Sequence, residues 1–435
     1  MRVGGIMVHR GFSITLSIIL GVFLLSAAPT ARAVVATLYV GPGGAGLTPS
    51  DCNEPDYQTD GSDDNLVIQQ AIDAAADHDT VYLCTGDYDI TTQLSVGKEI
   101  TVAGSTSGAS SSLTAGGANR IMGISAPATI DHLVFADAAM IDEWGAAIYV
   151  NTANATIQDC AFTDNSTNQL GGAIYADGGL TVTDSIFSGN EAANGGAIFA
   201  GEWSPGAVVI TGSFFTENIA STSGGAIYVM APLFVTDGLF TDNIASGSGG
   251  AIFAMDSVSV SEGEFTGNEA DDGGGAIYAE GGTATTVVRS TFSANKSTAA
   301  GWGGGAILAD EVFASNSTFT ANTARESGGA ISATDALFTA VDFTKNRAGM
   351  GGAVAVGSLD ATSWRSNTFT KNVATTRAYG DSAVGALTIY DCSHSNAWRL
   401  RKVASLKRLS FFKRNIFKKN RAPGAAKDVA YVCMM

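Results

Sequence analysis

Carboxylates are the reactive groups this sequence repeats most regularly. Acidic side chains recur one or two residues after a repeated phenylalanine, at Asp164, Glu217 and Asp242. Stacked about 5 Å apart on successive turns, such groups could hold a cation. They could also act as the carboxylate pair that glycoside hydrolysis needs at roughly 5–10 Å. The row is interrupted by Gly189, Gly267, Ala294 and Ala321, then by Lys345 and Lys371. It therefore reads as a freely varying solvated face, and no catalytic residue is assigned. Calcium is the one cofactor the acidic loops suggest, through Asp51, Asp60, Asp63, Asp64 and the pair Asp271 and Asp272. None of these follows the spaced-aspartate pattern of calcium loops, so no cofactor is assigned and the metal, if any, stays unknown.

The remaining reactive side chains are few. The four histidines, His9, His78, His132 and His394, show no pair at metal-ligand spacing, and His132 is placed in an early strand. Five cysteines without a C-x-x-C argue against zinc and redox motifs. Cys52 and Cys84 flank an expected helix and are the pair expected to bridge it to the first coil. Cys160 and Cys392 fall in a column of small inward residues and read as buried thiols. Cys433 has no evident partner. Trp144 and Trp302 directly precede glycine corners, which makes them the expected sugar-stacking edge. The competing reading packs them under a loop.

What must position these groups is a repeat. A G-G-A-[IV] unit, first seen as Gly145-Ala146-Ala147-Ile148 and then at Gly171, Gly195, Gly224, Gly249, Gly274, Gly304, Gly328 and Gly351, alternates with F-x-x-N. The phenylalanines stand at 162, 187, 215, 240, 265, 292, 319, 343 and 369. Their spacing of about 25 residues marks a repeat architecture. Apolar residues at −5 and mostly at −7, mostly small ones at −2 (Val341 and Asn367 excepted) and the phenylalanine itself follow a strand period rather than a helical one. A short strand facing one core cannot bury itself alone, whereas stacked coils can. This predicts an all-β, right-handed parallel β-helix of about 12 coils, in which phenylalanines form an inner row and asparagines sit at bends. Asp63-Asp64-Asn65 starts an expected capping helix with Leu66, Ile68, Ala71, Ile72 and Ala75 on one side. Leu387 to His394 matches Ala155 to Phe162 column for column, which places one coil at His394 and a last one at Phe417-Lys418-Lys419-Asn420.

Composition narrows the class. Of 435 residues, 53 are glycine and only 8 proline, which excludes collagen. Charged residues are 15% and hydrophobic ones 45%, which excludes disorder. Residues 1–33 read as a signal peptide, with Arg2 and Arg10 before an apolar run and Ala31-Arg32-Ala33 as the cleavage site. Residues 34–80 form the cap, 81–396 the β-helix, and 397–435 a basic segment with a degenerate last coil. The body from 34 to 396 carries 10 basic and 40 acidic residues, net −30. A body so acidic repels nucleic acid. No anchor in the membrane is expected after signal cleavage.

The alternation of G-G-A-[ILV] with F-x-x-N over 145–372, and more loosely to 420, resembles the polymorphic outer membrane protein repeat family of chlamydial surface proteins. The N-terminal Val81-Tyr82-Leu83-Cys84-Thr85-Gly86-Asp87-Tyr88, after its helix, is similar to the start of pectate-lyase-like β-helices. The resemblance implies a right-handed parallel β-helix and a role as a surface adhesin. Family members end in an outer-membrane β-barrel, and the basic tail after Asn372 lacks that alternation. The expected function is a secreted or cell-surface binding and adhesion protein with a glycan or cell-surface partner. The alternatives are a secreted polysaccharide-active enzyme (lyase, hydrolase or epimerase) and a purely structural rod.

Overall fold

The structure is a computed structural model. It describes residues 36–41, 52, 55–59, 64–106, 110–117, 119–201, 206–301, 303–357, 364–375, 386–389, 415–421 and 429–431. The expected signal peptide, Cys392, Cys433, Trp302 and His394 lie outside these residues.

From Ala36 onward the described chain is an all-β parallel β-solenoid of about ten turns, with one helix. One coil shows the plan. Strand Leu180–Thr183 leads to a corner at Asp184, then to strand Ile186–Ser188. A second corner at Gly189 leads to Glu191–Asn194, the Gly195-Gly196 pair follows, and Ile198–Ala200 closes the turn. Strands pair in parallel with their equivalents one coil on, in register as in Phe162↔Phe187, Phe187↔Phe215 and Phe215↔Phe240, with register shifts at Ala136/Ala138, Ala192/Asn194 and Ala279/Ala284.

The corners explain why the inward positions are not evenly spaced. The residue three before each phenylalanine is left-handed, from His132 and Asp159 to Ala340 and Ser366. So is the residue two after it, from Asp137 and Asp164 to Lys371 and Lys419. Each left-handed residue turns the chain and resets which side chains face inward. That is why −5 and −2 are both buried although three residues apart. His132 is such a corner, with φ 52°, between strands Ala128–Asp131 and Leu133–Met140, rather than a strand residue.

The two glycines of each pair have different causes. Gly195 has φ +64°, where a β-carbon is strained. Gly196 is needed for space, because a Cβ there would collide with the carbonyl oxygen of Gly225 in the next coil.

Two ladders fill the interior. Phe135, Phe162, Phe187, Phe215, Phe240, Phe265 and Phe292 stack with centroids 4.6–4.9 Å apart and planes within 5°. The asparagines form a second row. Asn190 Nδ2 donates to Asn218 Oδ1 at 2.9 Å and to the carbonyl of Phe162 at 3.0 Å. The pattern repeats from Asn165 to Asn372, and Asn372 Nδ2 donates to Asn420. A carboxamide has two donors and an acceptor, so it can serve the coil before and the coil after at once.

Two expectations need correction. Leu66 is 54% exposed, while Ile68, Ala71, Ile72 and Ala75 are buried. The buried set is an i, i+3, i+4, i+7 stripe, and a residue two before its first member points to the other side. At the far end, Leu387, Thr388 and Ile389 pair with Val354, Ala355 and Val356. They continue the G-G-A-[IV] column, not the column of Ala155. Phe417 pairs directly with Phe369, so the phenylalanine row passes from one to the other.

Candidate functional site

The residue after each inward isoleucine of G-G-A-I is aromatic in six successive coils: Tyr149, Tyr175, Phe199, Tyr228, Phe253 and Tyr278. Strand alternation turns it away from the inner core, and the in-register pairing lines the six up in one row, in which Tyr175, Phe199 and Phe253 are buried and Tyr149, Tyr228 and Tyr278 half-buried. Neighbouring rings lie 4.6–5.5 Å apart with planes within 16°. Each inner ring therefore has both faces occupied by aromatic neighbours.

The ends of this outer ladder differ. At one end the Arg120 guanidinium lies 4.9 Å from the centre of the Tyr149 ring, a cation–π cover. At the other end the column continues as Leu308, Ser332 and Ala355. No ring follows Tyr278, and a cavity of about 300 Å³ opens there. Glu280 and Gly281 form part of its wall, at a bulge where the four residues 280–283 stand opposite the single Asp310 of the next coil. Gly281 and Gly282, with φ of 88° and 73°, make that bulge sterically accessible.

The cavity combines an aromatic face with oxygen groups. Leu308, Asp310 and Thr334 line it opposite Tyr278 and Glu280. Asp310 Oδ2 accepts from the Gly282 amide at 2.6 Å, and Thr334 Oγ1 donates to Asp310 Oδ1 at 3.4 Å. Burial, then the negative charges of Glu280, Asp310 and Asp272, raises the Tyr278 phenol above its ordinary value. The hydroxyl thus stays a hydrogen-bond donor at neutral pH. The arrangement offers stacking, one phenolic donor and carboxylate acceptors around a water-accessible hollow, a combination suited to the polar rim and apolar face of a sugar ring.

The expected site residues fall elsewhere. Cys52 and Cys84 form a disulfide with Cα atoms 5.9 Å apart. Trp144 is half-buried and stacks on Tyr175 at 4.9 Å, so the flank of the outer ladder holds one of its faces. Its backbone carbonyl accepts from Arg120. Cys160 is buried, and burial pushes its thiol up to about 12. Asp164, Glu217 and Asp242 are the left-handed corner residues two after the phenylalanine, with φ of 54°, 56° and 53°. A Cβ at Gly189 or Gly267 would strike Asp164 Oδ1 or Asp242 Oδ1 from the coil before. The interruptions in that row are thus partly steric. Of the residues considered for calcium, Asp51, Asp60 and Asp63 lie outside the described residues. Asp64 accepts from the Asp89 amide, and Asp271 accepts from Thr298 Oγ1.

The outer ladder and the cavity escaped the sequence reading, although the signal was present in the [YF] that follows G-G-A-I. A second grouping was also missed. Asp131, His132 and Asp159 come together across one coil.

The repeats match a family model described as the Chlamydia polymorphic membrane protein (Chlamydia_PMP) repeat at residues 159–177, 184–201, 212–230, 237–255, 263–280 and 316–334. The unmatched stretch between the last two holds Leu308 and Asp310, where the outer ladder stops. No curated sequence matches the chain. Among solved structures, it is similar to a mutant of the PL6 family alginate lyase AlyGC, at 13% identity and TM-score 0.48, covering 85% of this chain and 52% of that one. The chain thus spans about half the length of that enzyme. A PL6 alginate lyase in complex with a trisaccharide is similar at 11% identity and TM-score 0.38, covering 91% and 88%. The catalytic unit of a GH87 α-1,3-glucanase from Streptomyces thermodiastaticus strain HF3-3 is similar at 12% identity and TM-score 0.38, covering 83% and 66%. Among the described residues no helix is long and apolar enough to cross a membrane. The strand pairing and the matched repeats together make this chain a parallel β-solenoid that carries Chlamydia polymorphic membrane protein repeats.

Proposed function

We propose that this is a secreted or cell-surface binding protein that takes a glycan at the open end of its outer aromatic ladder. One observation carries the reading: the six-ring stack stops at Tyr278, beside a cavity lined by Glu280, Asp310 and Thr334. Every earlier ring in the row is capped by a neighbour or by Arg120. The repeats point to a surface protein. The net charge of −30 over residues 34–396 selects neutral glycans or amino sugars over polyuronates.

The secreted protein, with and without Ca²⁺, is tested on immobilised neutral, amino-sugar and uronate polysaccharides, recording retention and new reducing or unsaturated ends. The expected result is retention on the first two without product, weakened about tenfold by Tyr278→Ala, the scale of one lost stacking contact. A second reading has an observation of its own. Glu280 and Asp310, from adjacent coils, both line the one cavity, so a hydrolytic pair would sit there. Product that disappears in Glu280→Gln would establish that reading instead. Absence of both retention and product would leave a structural rod.

A further inference from the structure

A second site lies at another corner of the solenoid, in the early coils. The left-handed corner residues His132 and Asp159 are equivalents on successive coils, because Asp131 pairs with Gln158. Asp131 Oδ1 is in hydrogen-bond contact with His132 Nδ1. The other ring nitrogen, Nε2, lies 3.9 Å from Asp159 Oδ2. One ligand atom from each of the three residues falls within 4.8 Å of the others. All three side chains reach solvent, Asp131 at 21%, His132 at 32% and Asp159 at 45% exposed.

We infer that these residues form a binding site for a borderline divalent transition-metal ion such as Zn²⁺, Co²⁺ or Ni²⁺. His132 Nε2 and Asp159 Oδ2 are its direct protein ligands, and water fills the remaining positions. Asp131 is the positioning residue, since a carboxylate on Nδ1 fixes the tautomer and aims Nε2 outward, as in carboxylate–histidine–metal triads. The gap fits the assignment. Two donors at ~2.1 Å from a tetrahedral zinc lie about 3.4 Å apart, so the pair needs to close by only about 0.5 Å. An imidazole in the donor set separates this corner from the other acidic ones, because nitrogen favours Zn²⁺ and its neighbours over Ca²⁺ and Mg²⁺. The next residue in the column, Asp184, does not extend the site, because its Oδ1 lies over Gly212. A bound ion would tie one coil to the next near the N-terminal end and stabilise the folded state by mass action.

The test is calorimetric titration of the full chain with Zn²⁺ in excess Ca²⁺, which occupies diffuse surface carboxylates, together with the visible spectrum of the Co²⁺ form. One saturable equivalent is expected, with a rise in melting temperature on adding Zn²⁺. His132→Asn keeps a residue that tolerates φ > 0, and it weakens binding at least tenfold and alters the Co²⁺ spectrum. Asp131→Asn weakens binding about tenfold while leaving the stoichiometry at one. Asp184→Asn, in the same column, changes neither. Equal binding by wild type and His132→Asn, or no saturable binding in Ca²⁺, overturns the assignment.

Discussion

Replacing Asn268 by alanine tests whether the buried asparagine row holds the solenoid's corners. Asn268 Nδ2 donates to the Phe240 carbonyl at 2.9 Å and to Asn295 Oδ1 at 2.9 Å. Its own Oδ1 accepts from the Asn243 amide at 3.1 Å and from Asn243 Nδ2 at 2.9 Å. Alanine strands the Asn243 N–H and strips the Phe240 carbonyl of its side-chain donor, in a row where Asn243, Asn268 and Asn295 are all fully buried. A buried polar group left without its partner costs roughly 1–3 kcal/mol, so the two together cost about 2–6 kcal/mol. Asn243 Nδ2 keeps its bond to the Phe215 carbonyl, which limits the loss. Asn268→Asp is expected to be worse, because a carboxylate oxygen would then face the Phe240 carbonyl and Asn295 Oδ1. Urea unfolding gives the free-energy change, and amide hydrogen exchange locates it. Each coil contacts only its neighbours, so faster exchange is expected at Asn243 and in the adjoining coils, with the ends unchanged. A cost below about 1 kcal/mol with unchanged protection of the Asn243 amide would refute the reasoning.

Other consequences follow from single contacts. Gly196→Ala forces a β-carbon against the Gly225 carbonyl, and thermal unfolding should show a loss of at least about 2 kcal/mol, the scale of overpacking a closed backbone contact. Asp79 is held below its ordinary value by hydrogen bonds from the Ala36 and Ala76 amides, each 2.8 Å. A depressed carboxylate contributes stability above its unfolded value of about 3.9 and loses it as pH falls through the folded value. Acid titration should therefore loosen the N-terminal region below about pH 4, and Asp79→Asn should flatten that step. Burial holds the Cys160 thiol up near 12, so mass-mapped alkylation at pH 8 should leave Cys160 unmodified until the protein is unfolded.

The interior was legible because its side chains are constrained from both directions along the stack. Phe240 must match Phe215 and Phe265 in size and plane, and Asn243 must complete the hydrogen bonds of Asn218 and Asn268. Such columns keep one residue type, and their spacing survives coils of unequal length. The glycine pair persists for two separate causes, positive φ at Gly195 and close backbone approach at Gly196. The outer face was harder to read because its order comes from where a row stops. Tyr278 matters through the change to Leu308, which periodicity alone treats as noise. Asp131, His132 and Asp159 were hidden because contact between them depends on two left-handed corners in register, and a separation of 27 residues has no meaning outside a solenoid. Leu387 was misplaced because register was carried forward from Phe369 by counting. The next residue in that row is Phe417, with Asn372 and Asn420 48 positions apart.

The most direct test of the proposed binding site is to extend the outer ladder by one ring. Leu308 is in register with Tyr278 on the next coil, on the cavity side. Leu308→Phe should cap the open Tyr278 face, as Phe253 caps its other face at 5.1 Å. Titrating wild type and Leu308→Phe with the best-retained neutral or amino-sugar polysaccharide should show affinity falling at least tenfold in the variant, while its thermal stability is kept or raised. Undiminished glycan binding by a well-folded Leu308→Phe would contradict the account and move the binding surface away from the end of the aromatic ladder.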